Sequence, residues 1–322
     1  MITRSFIEKY VLVLLGFCYA TTIKAQDPHF AQFYANPIYL NPAFAGSQGC
    51  PRICMNYRNQ WPNIAGTFVT TSSSFDTRVN GISGGLGFHF LNDQAGQGTL
   101  RSTRFSAMYA YQTNITREFS MAFGLQATYG QKKMDWSKLT FGDMIDPKYG
   151  FSSYTLEQQP NKQVVSYPDF SAGVLGYSKR VYAGFSVAHL TQPNESLISG
   201  SSPLPRKYNG HAGAVIPLDG NYGKTTISPN IIYQQQGNFR ELNIGLYLTK
   251  GSLVGGLWYR TSDAVVLLIG FQQNAVRLGY SYDITVSKLG TATAGSHEIS
   301  LQLSFKCKPR HKGFRTVICP SF

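Results

Sequence analysis

The chain has 322 residues with 43% apolar, 14% aromatic and 14% charged content and 32 glycines, which argues against both a long-helix protein and disorder. A mean hydropathy of −0.16, with no apolar run near ~20 residues beyond the first twenty-five, excludes a bundle of membrane-spanning helices. The net charge of +13 points to anionic lipid or acidic partners.

Residues 1–25 read as a secretory signal peptide. Arg4 and Lys9 give a basic start, Val11–Ala20 is the apolar stretch, and Ala25 is the expected residue before the cut. Phe17 before Cys18 disfavours a lipoprotein signal. Export makes nucleic acid an unsuitable partner. Residues 26–49 form a leader rich in aromatics and proline, running from Asp27-Pro28-His29-Phe30 through Ala45-Gly46. Its prolines at 28, 37 and 42 argue against a helix. Its aromatics and two Asn-Pro pairs suggest a docked segment, in a lumen or against a periplasmic partner.

From residue 50 onward the pattern has period two. Phe119, Met121, Phe123, Leu125, Ala127 and Tyr129 alternate with Glu118, Ser120, Ala122, Gly124, Gln126 and Thr128. Leu242, Ile244, Leu246 and Leu248 alternate with Asn243, Gly245, Tyr247 and Thr249. Fourteen such segments are expected: 51–60, 67–77, 82–91, 98–111, 115–131, 167–178, 180–190, 207–217, 224–236, 238–249, 252–261, 263–272, 274–285 and 296–306. An even count, one greasy face and one small or polar face describe an all-β transmembrane antiparallel barrel. With the chain starting in the periplasm, the inner turns are short. The outer connections include the 132–166 excursion, the 191–206 linker and the 286–295 loop. A soluble β-sandwich shares the alternation but not this one-sided loop asymmetry. The excursion carries Trp136, Phe141, Tyr149 and Tyr154, and is expected over the mouth or in the lumen. The organisation is thus signal peptide 1–25, leader or plug 26–49, barrel 50–306 and a basic periplasmic tail 307–322.

Four cysteines follow the cut, allowing three disulfide connectivities. Cys50 and Cys54 on one strand would stand about 13 Å apart at ~3.3 Å per residue, beyond the ~7 Å limit for a bridge. Cys307–Cys319 is the expected pair, and a four-cysteine zinc site is a weaker alternative.

The spelling Gly81-Ile82-Ser83-Gly84-Gly85 matches G-x-S-x-G, but a serine inside a strand lacks the strand–turn–helix of a nucleophile elbow. His89 lies about 20 Å away along an extended strand. The six histidines show no ligand spacing, so no metal is expected. Asp143 and Asp146 fit either a calcium loop or, by preference, a capped turn. No cofactor fingerprint is present, and no enzymatic activity is expected.

Asn36-Pro37, Tyr39-Leu40-Asn41-Pro42-Ala43, Ala45-Gly46 and Tyr57-Arg58-Asn59-Gln60-Trp61-Pro62 resemble the opening of PorP/SprF proteins. His189-Leu190-Thr191, Leu204-Pro205-Arg206-Lys207-Tyr208, Gly279-Tyr280-Ser281-Tyr282-Asp283 and Gly295-Ser296-His297-Glu298 resemble the family's middle and closing hairpin. The resemblance implies an outer-membrane component of the type IX secretion and gliding machinery. Such proteins support export or surface anchoring of cargo, adhesins included, with C-terminal sorting domains. It also implies partners: a periplasmic peptidoglycan-binding lipoprotein and, through it, ring and motor components. On this reading the candidate partner-binding residues are Tyr34, Asn36, Pro37, Tyr39, Asn41 and Pro42 in the leader. Tyr57, Arg58, Gln60 and Trp61 join them at the first outer turn, as do Lys308, Arg310, Lys312 and Arg315 in the tail. For the outer-turn residues, register and girdle packing is an equally good reading. The alternative function is a FadL-like passive transporter of hydrophobic molecules. Fatty-acid channels of that kind also start with a plug containing Asn-Pro-Ala, as Asn41-Pro42-Ala43 does. The polar lumen set disfavours this alternative.

Overall fold

The structure, a computed structural model, describes residues 26–305 except 65, 147, 152–153, 161, 198–199, 220–224, 262 and 287–292. The signal-peptide reading, the 307–322 tail with Lys308, Arg310, Lys312 and Arg315, and the pair Cys307–Cys319 lie outside the described residues. Within them, Cys50 is disulfide-bonded, and Cys54 is free and buried.

Alternating side chains dictate the architecture. The barrel strands are β1 Arg52–Gln60, β2 Phe68–Val79, β3 Gly84–Ala95, β4 Leu100–Asn114, β5 Ser120–Met134, β6 Val164–Tyr177 and β7 Val181–Ala188. They continue with β8 Lys207–Ala214, β9 Thr225–Gln236, β10 Phe239–Lys250, β11 Leu253–Arg260, β12 Ala264–Gln273, β13 Val276–Thr285 and β14 Ser296–Ser304. Every expected segment overlaps one of them. Each strand pairs antiparallel with its chain neighbour, and β1 pairs with β14 from Arg52↔Ser304 to Gln60↔Ser296. The sheet therefore closes and leaves no edge, which is what a chain needs where no water can satisfy backbone groups. The two-residue strand Ile216–Pro217 adds a fifteenth member beside β9.

The outward faces carry the apolar side chains. Leu125 is 66% exposed and Ile269 64%. Phe105, Phe123, Leu246, Leu257 and Ile299 are exposed beside them. An exposed apolar band around a closed barrel is the surface a bilayer requires. The inward faces carry Ser72, Ser74, Ser106, Thr128, Ser171 and Asn230, all buried. One inner patch departs from the expected small or polar set. Tyr247, Val254, Trp258, Val266 and Leu268, from β10–β12, are buried in the lumen. Their strands are apolar on both faces, which alternation alone does not reveal.

The short turns, such as Gly251-Ser252 and Asn274-Ala275, lie at the end from which the chain enters β1. Gly251 (φ +62°) and Asn274 (φ +51°) supply the left-handed backbone that such turns need. The opposite end, here called outer, carries the excursion between β5 and β6. That excursion contains two 3₁₀ turns, Trp136–Lys138 and Gly142–Met144, and a small hairpin of Ile145–Asp146 with Gly150–Phe151. Tyr149 and Tyr154 are exposed, so these rings do not enter the lumen. Asp146 accepts the backbone N–H groups of Lys148 and Tyr149 at 2.7 and 2.9 Å, the capped turn its sequence favoured.

Candidate functional site

The leader fills the lumen. Phe30, Ala31, Gln32, Phe33, Tyr34, Ile38, Ala43 and Phe44 are all buried. The prolines do not prevent helix here, contrary to expectation. A single turn, α1 Pro37–Leu40, has Pro37 at its first position, and the 3₁₀ turn Pro42–Phe44 begins on Pro42. At a first helical position proline sacrifices no hydrogen bond, and its fixed φ is already helical. Asn41 joins the two turns. Its backbone N–H bonds to the Pro37 carbonyl at 3.0 Å. Its side chain accepts from the Ala43 N–H at 2.9 Å.

The leader descends from the outer third of the lumen to the opposite rim, gripped at each level. At the top, Asp27 meets Arg104 and His189, each at 2.6 Å. Below it the Glu298 carboxylate accepts the backbone N–H groups of Ala31 and Gln32 at 2.6 and 3.2 Å. Asn36 donates to Ser72 at 2.6 Å, and Asn41 donates to the Val174 carbonyl at 3.0 Å. At the lower rim the Gly46 N–H bonds to Asp76 at 2.9 Å. Asp76 is itself held bidentately by Arg52 at 2.8 and 3.0 Å. The apolar part of the plug seats on the inner patch: Phe33 and Trp258 have ring centroids 5.0 Å apart. The approach is close enough that wall glycines are needed. A Cβ on Gly124 would stand 2.3 Å from the Ala43 nitrogen.

Around Glu298 runs a buried ionic network. Arg58 pairs with Asp283 at 2.7 Å and with Glu298 at 3.3 Å. Arg260 reaches Asp283 at 3.4 Å and Glu241 at 3.5 Å. Such charges survive burial because each has partners. In the leader, burial alone would raise the Asp27 carboxyl, but Arg104, His189 and Lys207 hold it well below the usual range. Burial would lower His189, in the connection after β7, but Asp27 and Asp169 raise it to about 9. His29 is lowered by burial and by the nearby Arg260, Arg58 and Lys207.

The residues singled out from sequence fall in three places. Tyr34, Asn36, Pro37, Asn41 and Pro42 are buried inside the lumen, with Tyr39 half-buried beside them. Of the two positions expected for a docked leader, lumen or periplasmic partner, these residues occupy the lumen, where the wall engages Asp27, Gln32, Asn36 and Asn41. Arg58 is buried with the leader, whereas Tyr57, one residue away, faces outward at 45% exposure. Gln60 and Trp61 sit at the outer end of β1, where the Trp61 ring meets Phe68 edge-on at 5.8 Å. Ser83 lies in the turn before β3 rather than inside a strand, at φ +51°, and no helix follows it. Sequence reading missed Asp27, Gln32, Trp258, Arg260, Asp283 and Glu298. For Arg260, Asp283 and Glu298 the available signal was charge at inward positions of alternating strands.

The arrangement is that of a closed, plugged barrel. The cavities beside the plug include ones of about 50 and 20 Å³, room for a few water molecules.

Among solved structures the chain is similar to the toluene transporter TodX of P. putida, with 8% identity, 82% of this chain and 92% of that one covered, and a TM-score of 0.48. It is similar also to the toluene transporter TbuX of Ralstonia pickettii (11% identity, 84% and 93% covered, TM-score 0.47). A third is Omp33 of Acinetobacter baumannii (7% identity, 81% and 100% covered, TM-score 0.45). No curated protein matches the chain. The family model for the type IX secretion system membrane protein PorP/SprF matches residues 22–303. With a closed barrel, an apolar girth and that match over most of its length, the chain belongs to the PorP/SprF family of type IX secretion system membrane proteins, and its place is the outer membrane.

Proposed function

We propose that this barrel is a docking component of type IX secretion, with no chemistry of its own. It supports secretion or surface anchoring of proteins with C-terminal sorting domains, adhesins of the gliding apparatus among them. The family match over residues 22–303 carries the reading. The outer excursion and mouth would receive cargo. The peptidoglycan-binding lipoprotein and ring components would meet the short-turn face and the basic tail 307–322, since the leader is occupied inside the lumen. The signal peptide 1–25, cut after Ala25, would deliver the chain, and outer-membrane lipid would surround the barrel 50–306. A lumen filled by the chain itself suits a docking protein better than a conduit. The FadL-like alternative draws on the apolar inner patch around Trp258, but Phe33 and Tyr34 already pack there.

A clean deletion strain tests this, assayed for surface and secreted proteins bearing the sorting domain, with long-chain fatty-acid uptake followed in parallel. Loss of those proteins with unchanged uptake is expected. Normal export with reduced uptake would sink the reading and leave the transporter standing.

A further inference from the structure

The cavity of about 50 Å³ lies between the leader and the inner wall of β3–β8, and its upper lining includes Asp27, Arg104, Asp169, His189 and Lys207. Both ring nitrogens of His189 face carboxylates, Nδ1 to Asp169 at 2.7 Å and Nε2 to Asp27 at 2.6 Å. An imidazole can serve two acceptors only by donating from both nitrogens, so it is the imidazolium. The lining therefore holds three cations against two carboxylates. Nearby acids do not close the gap. Asp93 accepts from Thr70 at 2.6 Å, Glu241 is engaged by Asn243 and Arg260, and neither lines the cavity.

The surplus charge sits on Lys207. Its side chain is buried, with the residue 7% exposed. Among the described residues its ammonium makes no hydrogen bond or close ion pair: it lies over the Tyr39 ring, whose centroid is 5.6 Å away, and feels the Asp27 and Glu241 carboxylates only from beyond ion-pair distance. That contact is worth roughly 0.5–2 kcal/mol, far short of a buried cation's desolvation cost. The Arg104 Nε is buried without a hydrogen-bond partner. Ser106 and Ser171 add hydroxyl groups to the same lining.

We propose that this cavity binds a small monovalent carboxylate. One negative charge balances Lys207, and two oxygens suit the separate donors, Lys207 and the Arg104 Nε. The volume matches about four water-sized atoms at ~10–15 Å³ each, the size of acetate. Divalent phosphate would invert the local charge. Chloride would balance it with one atom and leave donors unsatisfied. The site stands on the geometry of the mouth and does not depend on the secretion reading.

The test uses the purified full-length barrel in detergent micelles at neutral pH. Sodium acetate is titrated against sodium chloride and sodium phosphate at equal ionic strength, with the unfolding temperature as readout. A saturable, acetate-specific rise of roughly 3 °C is expected by linkage. It should vanish in Lys207→Met and persist in Lys207→Arg. Equal shifts with all three salts, no saturable shift, or an undiminished acetate shift in Lys207→Met would overturn the proposal. The wild-type comparison alone can do so, whether or not the Met variant folds.

Discussion

Glu298 is fully buried on β14, directly opposite Arg58 on β1. It holds a wall cation and two leader backbone N–H groups at once. Glu298→Ala would orphan the two N–H groups and leave Arg58 with Asp283 alone, so a loss of about 3–5 kcal/mol is expected. Denaturant unfolding in detergent measures it. Glu298→Gln keeps acceptor capacity and should cost less. The Asp27–His189 contact makes leader seating depend on pH. His189 is raised from 6.5 to about 9, so its contribution is full below about 6.5 and is lost as pH climbs through about 9. Asp27 is lowered below 3.8, so its contribution is present above about 3.8 and is lost as pH falls through its folded value. A spin label on Gln26→Cys should accordingly be least mobile between about pH 4 and 6.5. Its mobility should rise toward pH 9. A mobility unchanged from pH 6 to 10 would show that this contact does not seat the leader.

At the scale of elements, the strands were legible because their lumen and lipid faces demand opposite chemistry at successive residues. Strand ends moved by a few residues, and β5 runs on to Met134 because its outer end pairs with β4 up to Leu100↔Met134. The leader was legible as a docked segment, since prolines and aromatics without periodicity need a surface to hold them. Its bed was not. Ala31 and Glu298 are 267 positions apart, and an inward charge marks Glu298 as unusual without naming the leader as its partner. Proline was misread for a related reason. Whether Pro37 breaks a turn or begins one depends on where the chain must bend, and the wall decides that. Because the leader's residues are buried inside the barrel, its expected effect as an element is occlusion. Removal of residues 27–45 should convert a barrel of low conductance into an open pore in planar bilayers. Equal conductance with and without the leader would refute the plug.

For the whole molecule, the orientation of the faces has a direct consequence in the bilayer. Leu125 projects outward in mid-strand, whereas Thr128 on the same strand is buried inward. Leu125→Arg is expected to destabilise the barrel by about 2–4 kcal/mol, read from unfolding in lipid vesicles. Thr128→Ser should change stability little. If both variants behave alike, the two faces have been assigned wrongly.

The β1–β14 junction joins the two ends of the barrel, and Glu298 and Arg58 face each other across it. The group that grips Ala31 and Gln32 therefore reaches its final position only when the last strand zips to the first. A leader left outside until then would have to thread its buried aromatics through a mouth already crowded by Arg104, His189 and Lys207. The leader, made before the barrel strands, is therefore expected to act as a mandrel, around which the wall is wound and then fastened. Cysteines introduced at Met55 and Leu301, paired across the junction, should crosslink efficiently in the intact chain. They should do so slowly and incompletely in one lacking residues 27–45. Equal crosslinking rates would mean that the wall closes without help from what it encloses.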